Sequence, residues 1–355
     1  MSRVRQDADR GILDLTATKI RSEQTAKKVA QWIKDNQPKE VILDDCGITT
    51  KSLRVLSLAL RRNAKLLRLS LLRNHIGQSS CAAVSDILRK NSSIRYVNLL
   101  GNRICPDDSG DAESDDGEEI QDFVDTCNEM RNIRSVCGCD DQQHEVSVSI
   151  VQGSAGFNSD VLLLGMELKL STHLKSLQFR GFWGLSEVFE ALKDNTSVVR
   201  AKFCDLAKGQ SDFDLALVSF LIKNYSLRTL QMGFAGGRRS ESKCVLLCVL
   251  RGLAQNVGAT CLQLENWHRD HETVSALGAM LRRNSTLLHL ALFHREAGGS
   301  HAALRAEDMH ELAAALTFNK TLRVLFIHNA NMNTTHDLEG QGPRSSGEMG
   351  AGVMG

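Results

Sequence analysis

The sequence predicts an α/β solenoid, with parallel strands along a concave face and helices along the convex one. Three observations predict it. A hydrophobic register recurs at a step near 28 residues, each copy joins a two-residue alternation to a stretch with helical spacing, and an asparagine recurs where each helix ends. A repeat of this length buries its apolar face only against its neighbours, so the units stack into one continuous core.

The register is clearest in Leu66-x-x-Leu69-x-Leu71-x-x-Asn74-x-Ile76, followed 28 residues later by Ile94-x-x-Val97-x-Leu99-x-x-Asn102-x-Ile104. One step back, Val41, Leu43 and Ile48 keep it, and Leu13, Leu15 and Ile20 keep it again. Going forward, the anchor at the fourth position returns at Val136, Leu177, Ala201, Leu230, Leu262, Leu290 and Leu325, which makes eleven copies. The Leu-x-Leu alternation reads as a short strand of period two. Leu53, Leu56 and Leu60, or Val84, Ile87 and Leu88, mark the helix that follows. The helices stop at Asn36, Asn63, Asn91, Asn195, Asn224, Asn256, Asn284 and Asn319. Asparagine suits an exit because it tolerates the left-handed conformation and bonds backbone groups locally. Basic pairs before it, as in Arg61-Arg62-Asn63 and Arg282-Arg283-Asn284, are expected to complement the helix dipole, worth about 0.3–1 kcal/mol each.

These motifs resemble the leucine-rich repeat family, in its ribonuclease-inhibitor-like class, over about residues 9–330. The resemblance implies one elongated domain of about ten to eleven repeats at 9–331, between an N-terminal tail at 1–8 and a disordered Gly/Ser-rich tail at 332–355. The middle copies depart from the pattern, with Gly138 where Leu is expected and Ala201 at an anchor. The consensus asparagine survives only as Asn74 and Asn102. Members of the family mostly bind proteins. One branch, the Ran GTPase-activating proteins, acts through polar residues on loops beside the strand ends, where Arg73, Asn74, Asn102 and Arg103 stand here. That branch also carries an acidic C-terminal tail, which this sequence lacks.

Composition narrows the function. The net charge is +1, so neither nucleic acid nor an acidic membrane is favoured. No apolar run reaches the roughly 18 residues of a membrane span, and the start MSRVRQDADRG has no apolar core for a signal peptide. Ten cysteines without framework spacing fit a reducing compartment. No phosphate-binding loop, nucleophile elbow or metalloprotease helix is present, so no enzymatic activity and no cofactor are expected. The expectation is a cytoplasmic scaffold or adaptor, with cytoskeletal association left open and GTPase activation as the alternative.

Three stretches interrupt the repeat. Asp107 to Glu119 holds eight acids in thirteen residues and is expected to be a mobile loop. A calcium loop fits poorly there, because Gly117 falls one place late and Asp122 stands where a bidentate Glu belongs. Within an insertion at 142–158, His144 to Val151 alternates and reads as an extra strand. Cys137, Cys139 and His144 are too closely and unevenly spaced for structural zinc. Glu296 to Ala306 is a glycine-containing loop before a helix at Glu307 to Phe318. His268 and His271 would form a metal pair only if both were helical, and a loop is the better reading.

The concave positions fall into three candidate binding zones. The first holds Ile42, Asp44, Leu72, Tyr96, Asn98 and Leu100; the second, Gln178, Arg180, Arg200 and Lys202; the third, His289, Phe293, Phe326 and His328. Exposed aromatics and arginines are enriched at the centres of protein interfaces. A protein partner is expected, one with an acidic segment being an option for the basic zone. A register error of one residue would turn all these side chains into the core.

Overall fold

The anchors decide how the strands pair. In the computed structural model, which describes residues 11–74, 76–104, 117–140, 142–149, 157–181, 185–206, 212–234, 239–294 and 304–329, they stand side by side. Leu13, Val41, Leu69 and Val97 align in a parallel sheet of four strands: β1 (Ile12–Asp14), β2 (Glu40–Ile42), β3 (Arg68–Ser70) and β4 (Tyr96–Asn98). Val146, Leu177, Ala201, Leu230, Leu262, Leu290 and Leu325 align in a parallel sheet of seven. Its strands are β5 (Glu145–Ser149), β6 (Ser176–Arg180), β7 (Arg200–Leu206), β8 (Thr229–Phe234), β9 (Cys261–Glu265), β10 (His289–His294) and β11 (Val324–Asn329). Both sheets run in chain order, because each crossover helix returns the chain beside the strand it left.

The helices are α1 (Glu23–Asn36), α2 (Thr50–Leu60), α3 (Cys81–Lys90), α4 (Gly117–Glu129), α5 (Phe157–Leu170), α6 (Leu185–Asp194), α7 (Phe213–Lys223), α8 (Arg239–Leu253), α9 (His271–Arg283) and α10 (Ala306–Phe318). Side-chain oxygens of Ser22, Thr49 and Asp270 start three of them by accepting the N–H of Thr25, Ser52 and Thr273. One continuous core runs from Leu13 to Ala315 between sheet and helices. This is the architecture of a leucine-rich-repeat solenoid. Of the acidic stretch expected as a loop at Asp107 to Glu119, residues 107–116 lie outside the described residues, as do 150–156, 295–303 and the tail after Asn329, whereas Gly117 to Glu119 are not loop but the first residues of α4.

The asparagines end the helices, but not by adopting a left-handed conformation. Asn91, Asn224, Asn284 and Asn319 have φ of −111°, −74°, −71° and −75°. Their side chains do the work instead. Asn224 Nδ2 donates to Leu192 O (2.6 Å) and Asn195 O (2.9 Å) of the preceding unit, while Oδ1 accepts from Ser226 N (3.1 Å) and Leu227 N (2.9 Å) of its own. Asn91, Asn256, Asn284 and Asn319 repeat the arrangement. Asn36, at the end of α1, is exposed and among the described residues bonds Trp32 O, and the exit falls to Gln37 at φ 45°. The basic residues near the exits also reach across units: Arg61 pairs with Asp86 at 2.8 Å and Arg89 with Asp122 at 2.6 Å.

The left-handed residues sit elsewhere. Ala17, Asp45, Arg73, Gly101, Asp205 and Asn266 each lie four places past an anchor, with φ between 52° and 71°. The N–H of Ala17, Asp45, Arg73 and Asn266 reaches Asp44 O, Leu72 O, Leu100 O and Phe293 O of the next unit at 2.8–2.9 Å. This is the turn that lifts the chain out of the sheet.

The two sheets are separated by a seam that the anchor spacing concealed. Val136 does continue the register, since Tyr96 bridges Ser135 in parallel. The chain then leaves the ladder through Gly138, at φ 79°, and no helix follows before β5. The alternating stretch after His144 is therefore not an insertion beside the ladder: β5 is a regular member of it, with Val146 as a twelfth anchor. Ser171 takes the asparagine's place at the end of α5. Its hydroxyl accepts from His173 N and Leu174 N at 3.2 Å but is too short to reach the unit behind. Helix α5 closes the gap with carboxylates. Buried Glu167 Oε2 accepts from Ser135 Oγ, Val136 N and Cys137 N at 2.8, 2.8 and 3.0 Å, and Asp160 Oδ1 accepts from Gly101 N at 2.7 Å.

Two predictions come from this framework. Asn224→Ala should cost roughly 2–3 kcal/mol in urea denaturation, because it strands buried donors and acceptors of two units, whereas Asn36→Ala should be nearly neutral. Burial lifts the Asp160 carboxyl to about 6 despite the Gly101 N–H and the nearby Arg73. A carboxyl that holds its proton longer when folded makes stability fall as pH rises from about 4 to 6. Asp160→Asn, which keeps an acceptor for Gly101, should flatten that slope and gain on the order of 2 kcal/mol at pH 7, measured by denaturation at pH 4.5 and 7.

Candidate functional site

Alternation along each strand sends one set of side chains into the core and the other to the strand-lined face. That parity is as expected: Val97, Leu177, Ala201, Leu262 and Leu290 are buried, and the residues beside them are half-buried or exposed, while beside buried Leu69 only Ser70 departs from it, being buried too. The three zones therefore lie on the strand face, though they differ in availability.

The first zone is largely engaged within the chain. Asp44 Oδ1 accepts from Leu72 N at 3.1 Å, and half-buried Leu100 packs on the core. The Arg68 guanidinium lies 5.5 Å from the centroid of the Tyr96 ring, donates to Gly138 O and pairs with Asp140. Gly138 passes close over Asn98, where a Cβ would come within 3.0 Å of the Asn98 Cβ. The seam segment thus crosses the strand face at β4, and Tyr96 is further edged by His173 at 6.5 Å.

The second zone comes together around a bulge. Asp205, left-handed at φ 59°, shifts the register of β7 against β8 between Phe203 and Leu206 and pairs with Arg180 at 2.9 Å. Both partners are more than half exposed, so the pair contributes little to stability. Arg180 stands opposite Cys204, while Lys202 lies between Gln178 and Gln231. Arg200 is exposed at the start of the same strand.

The third zone is a ring cluster. Phe293 and Phe326 centroids are 5.3 Å apart, and His328 stacks on Phe326 at 6.1 Å and lies 6.2 Å from Phe293. Phe293 faces His328 in the ladder, and Phe326 faces Ala291, whose small side chain leaves the rings room to meet. His289 does not join them. It faces Val324 and Cys261, four residues and about 13 Å along the strand from Phe293.

Between the zones lies a polar row that the reading by zones passed over. Gln231 Nε2 donates to Gln263 Oε1 at 2.5 Å, and Gln263 Nε2 to Glu265 Oε1 at 2.9 Å. These positions follow Leu230 and Leu262 by one and three places, so the anchors already located them. Basic and aromatic zones are thereby joined across β6 to β11 into one surface, with Glu265 beside Phe293.

Arg73 occupies the left-handed turn and Arg103 bridges Gly77 through its backbone; neither side chain makes an ion pair among the described residues. Asn74 and Asn102 are buried and wholly spent on backbone groups. His268 meets Ser242 Oγ at 2.8 Å on a loop, whereas His271 opens α9 and meets Asp308 of α10 at 3.1 Å. Cys137 and Cys139 are buried, and burial pushes both thiols upward. Among the described residues no group of three or more His, Cys, Asp or Glu is placed to hold a metal, and no helix is long and apolar enough to cross a membrane.

No protein-family model matches the chain, and no curated protein matches its sequence. Solved structures do show likeness. The leucine-rich repeat-containing protein LegL7 from Legionella pneumophila is 16% identical, covers 85% of this chain and 89% of its own, and has a TM-score of 0.37. An internalin from Listeria monocytogenes is 11% identical, with coverages of 91% and 89% and a TM-score of 0.32. The C-terminal domain of tropomodulin from Caenorhabditis elegans is 15% identical, with coverages of 45% and 93% and a TM-score of 0.32.

Proposed function

We propose that the chain is a non-enzymatic scaffold or adaptor of the ribonuclease-inhibitor-like class that binds a protein on the strand face of its seven-stranded sheet. The observation that carries this reading is the cluster of Phe293, Phe326 and His328. It places two phenyl rings and an imidazole in mutual contact at the surface, with Phe326 nearly half exposed. Apolar rings left in water cost free energy that a partner's pocket or apolar anchor recovers. The basic zone lies three to four strands away, about 14–19 Å, within reach of one docked helix or extended segment. A partner that offers an apolar anchor at one end and acids at the other meets both zones. The cysteines, none in a disulfide among the described residues, suit a cytoplasmic location for such a complex.

Affinity capture from cytosol tests the reading. Phe293→Ala with Phe326→Ala should keep the melting temperature within a few degrees and weaken capture of the main partner at least about tenfold. Replacing Arg180, Arg200 and Lys202 together should slow association and flatten its salt dependence. If the phenylalanine pair melts the fold while capture per folded molecule is unchanged, the rings are structural and the reading fails.

A further inference from the structure

The last unit of a repeat array has to turn a polar side to water. The first described unit does so: every exposed residue of α1, from Glu23 to Asn36, is polar. The last described unit does not. Leu325 and Ile327 are 37% and 38% exposed, although their β10 counterparts Leu290 and Leu292 are 1% and 0% exposed. The helix beside them is equally bare. α9 meets α10 through His271, Ser275 and Gly278. The same positions of α10, found by setting Asn319 on Asn284, are Ala306, His310 and Ala313, all exposed and none formally charged.

The backbone at this end is open as well. Along the first sheet, the N–H of an anchor and of the residue two beyond it donate to the following unit, as Val97 does to Ser135 O, and Leu43 and Leu71 to Ser70 O and Asn98 O, each at 2.9 Å. On β11 the same groups belong to Leu325 and Ile327, and no described strand follows them. The 26 residues after β11 contain six glycines and no second Leu-x-Leu pair, which is poor material for another strand–helix unit.

We propose that this end is an interface between two copies of the chain, joined β11 to β11 across a two-fold axis. Antiparallel pairing centred on Phe326 lets Leu325 and the partner's Ile327 exchange both backbone bonds, and Ile327 and the partner's Leu325 likewise. It keeps both helix layers on one side of a continuous fourteen-stranded sheet and sets α10 against its copy through alanines. Arg323 falls opposite the partner's Asn329, so no like charges meet. Six strand residues and thirteen helix residues each span about 20 Å, and the two layers are together about 20 Å deep. The end face is thus roughly 400 Å² per copy before corrugation, about 800 Å² in total, below the size of stable specific interfaces, so the dimer is a weak, transient one.

Sedimentation velocity on the full chain up to about 50 μM, with hydrogen exchange at matched concentrations, tests this. The expected result is a dimer, with Leu325 and Ile327 amides gaining protection as concentration rises. Ala313→Glu sits on an exposed helix position and sets like charges together across the axis. It should weaken the dimer at least about tenfold without changing the circular dichroism or melting temperature. Leu325→Lys should do the same from the sheet layer. A monomer throughout the range overturns the proposal. If the two amides are protected in that monomer, residues 330–355 cover the end; if they exchange freely, nothing does. A dimer indifferent to both substitutions also overturns it.

Discussion

The structure depends on one interaction, the amide of an asparagine bonded to the helix end of the unit before it. A helix leaves its last carbonyls without internal partners, and burying them between stacked units costs free energy unless something donates to them. Asn224 supplies two donors backward and an acceptor forward, and Asn256, Asn284 and Asn319 repeat the pattern. Each amide ties three things together: the end of one helix, the exit of the next, and the start of the strand after it. Stacking distance and strand register follow, so every anchor from Leu177 to Leu325 falls opposite its counterpart without a slip.

Where the asparagine is missing, the array breaks, and the break shapes the functional surface. Ser171 satisfies the N–H groups ahead of it but cannot reach behind, and α4 and α5 do not form a close-packed pair. Two acids on α5 take over by accepting backbone donors from the preceding unit. A carboxylate that holds three donors in a buried site is strong but fixed in geometry. It can splice two sheets, not extend one. The chain displaced at the splice runs across the first sheet, where Arg68 holds it over Tyr96 and Asn98. The longer sheet is spared, and its face stays continuous from Arg180 to His328.

Much of this was legible in the sequence, and what was not has a physical reason. Anchor positions are dictated by burial, and a residue that must be apolar at a fixed step announces itself even when, as with Ala201, it is small. The zones on the strand face follow from the anchors by counting. Tyr96 looked as available as Phe326, because the Arg68 that covers it lies 28 residues upstream and its hold depends on where Gly138 leads the chain. In the sequence Val146 falls in an apparent insertion because the seam shortens the step to ten residues from Val136, which no periodicity tracks. The asparagines stand at the expected positions, but in an extended rather than a left-handed conformation. Their amides act on the previous unit, and a local rule about helix exits does not see that unit.

Strand parity also separates two uses of the last strand. Phe326 and His328 point to the strand face, where they complete the ring cluster with Phe293; Leu325 and Ile327 point the other way, into the open end of the core. A substitution at an odd position therefore alters the open end of the core while leaving the ring cluster in place. The same alternation couples the two. Pairing two copies at β11 would bring the Phe326 rings into a non-hydrogen-bonded cross-strand pair, where Cα atoms approach to about 4.5 Å and side chains are closest. The aromatic cluster would then run unbroken across the axis from one Phe293 to the other, and a partner segment would meet twice the apolar surface that a single copy offers.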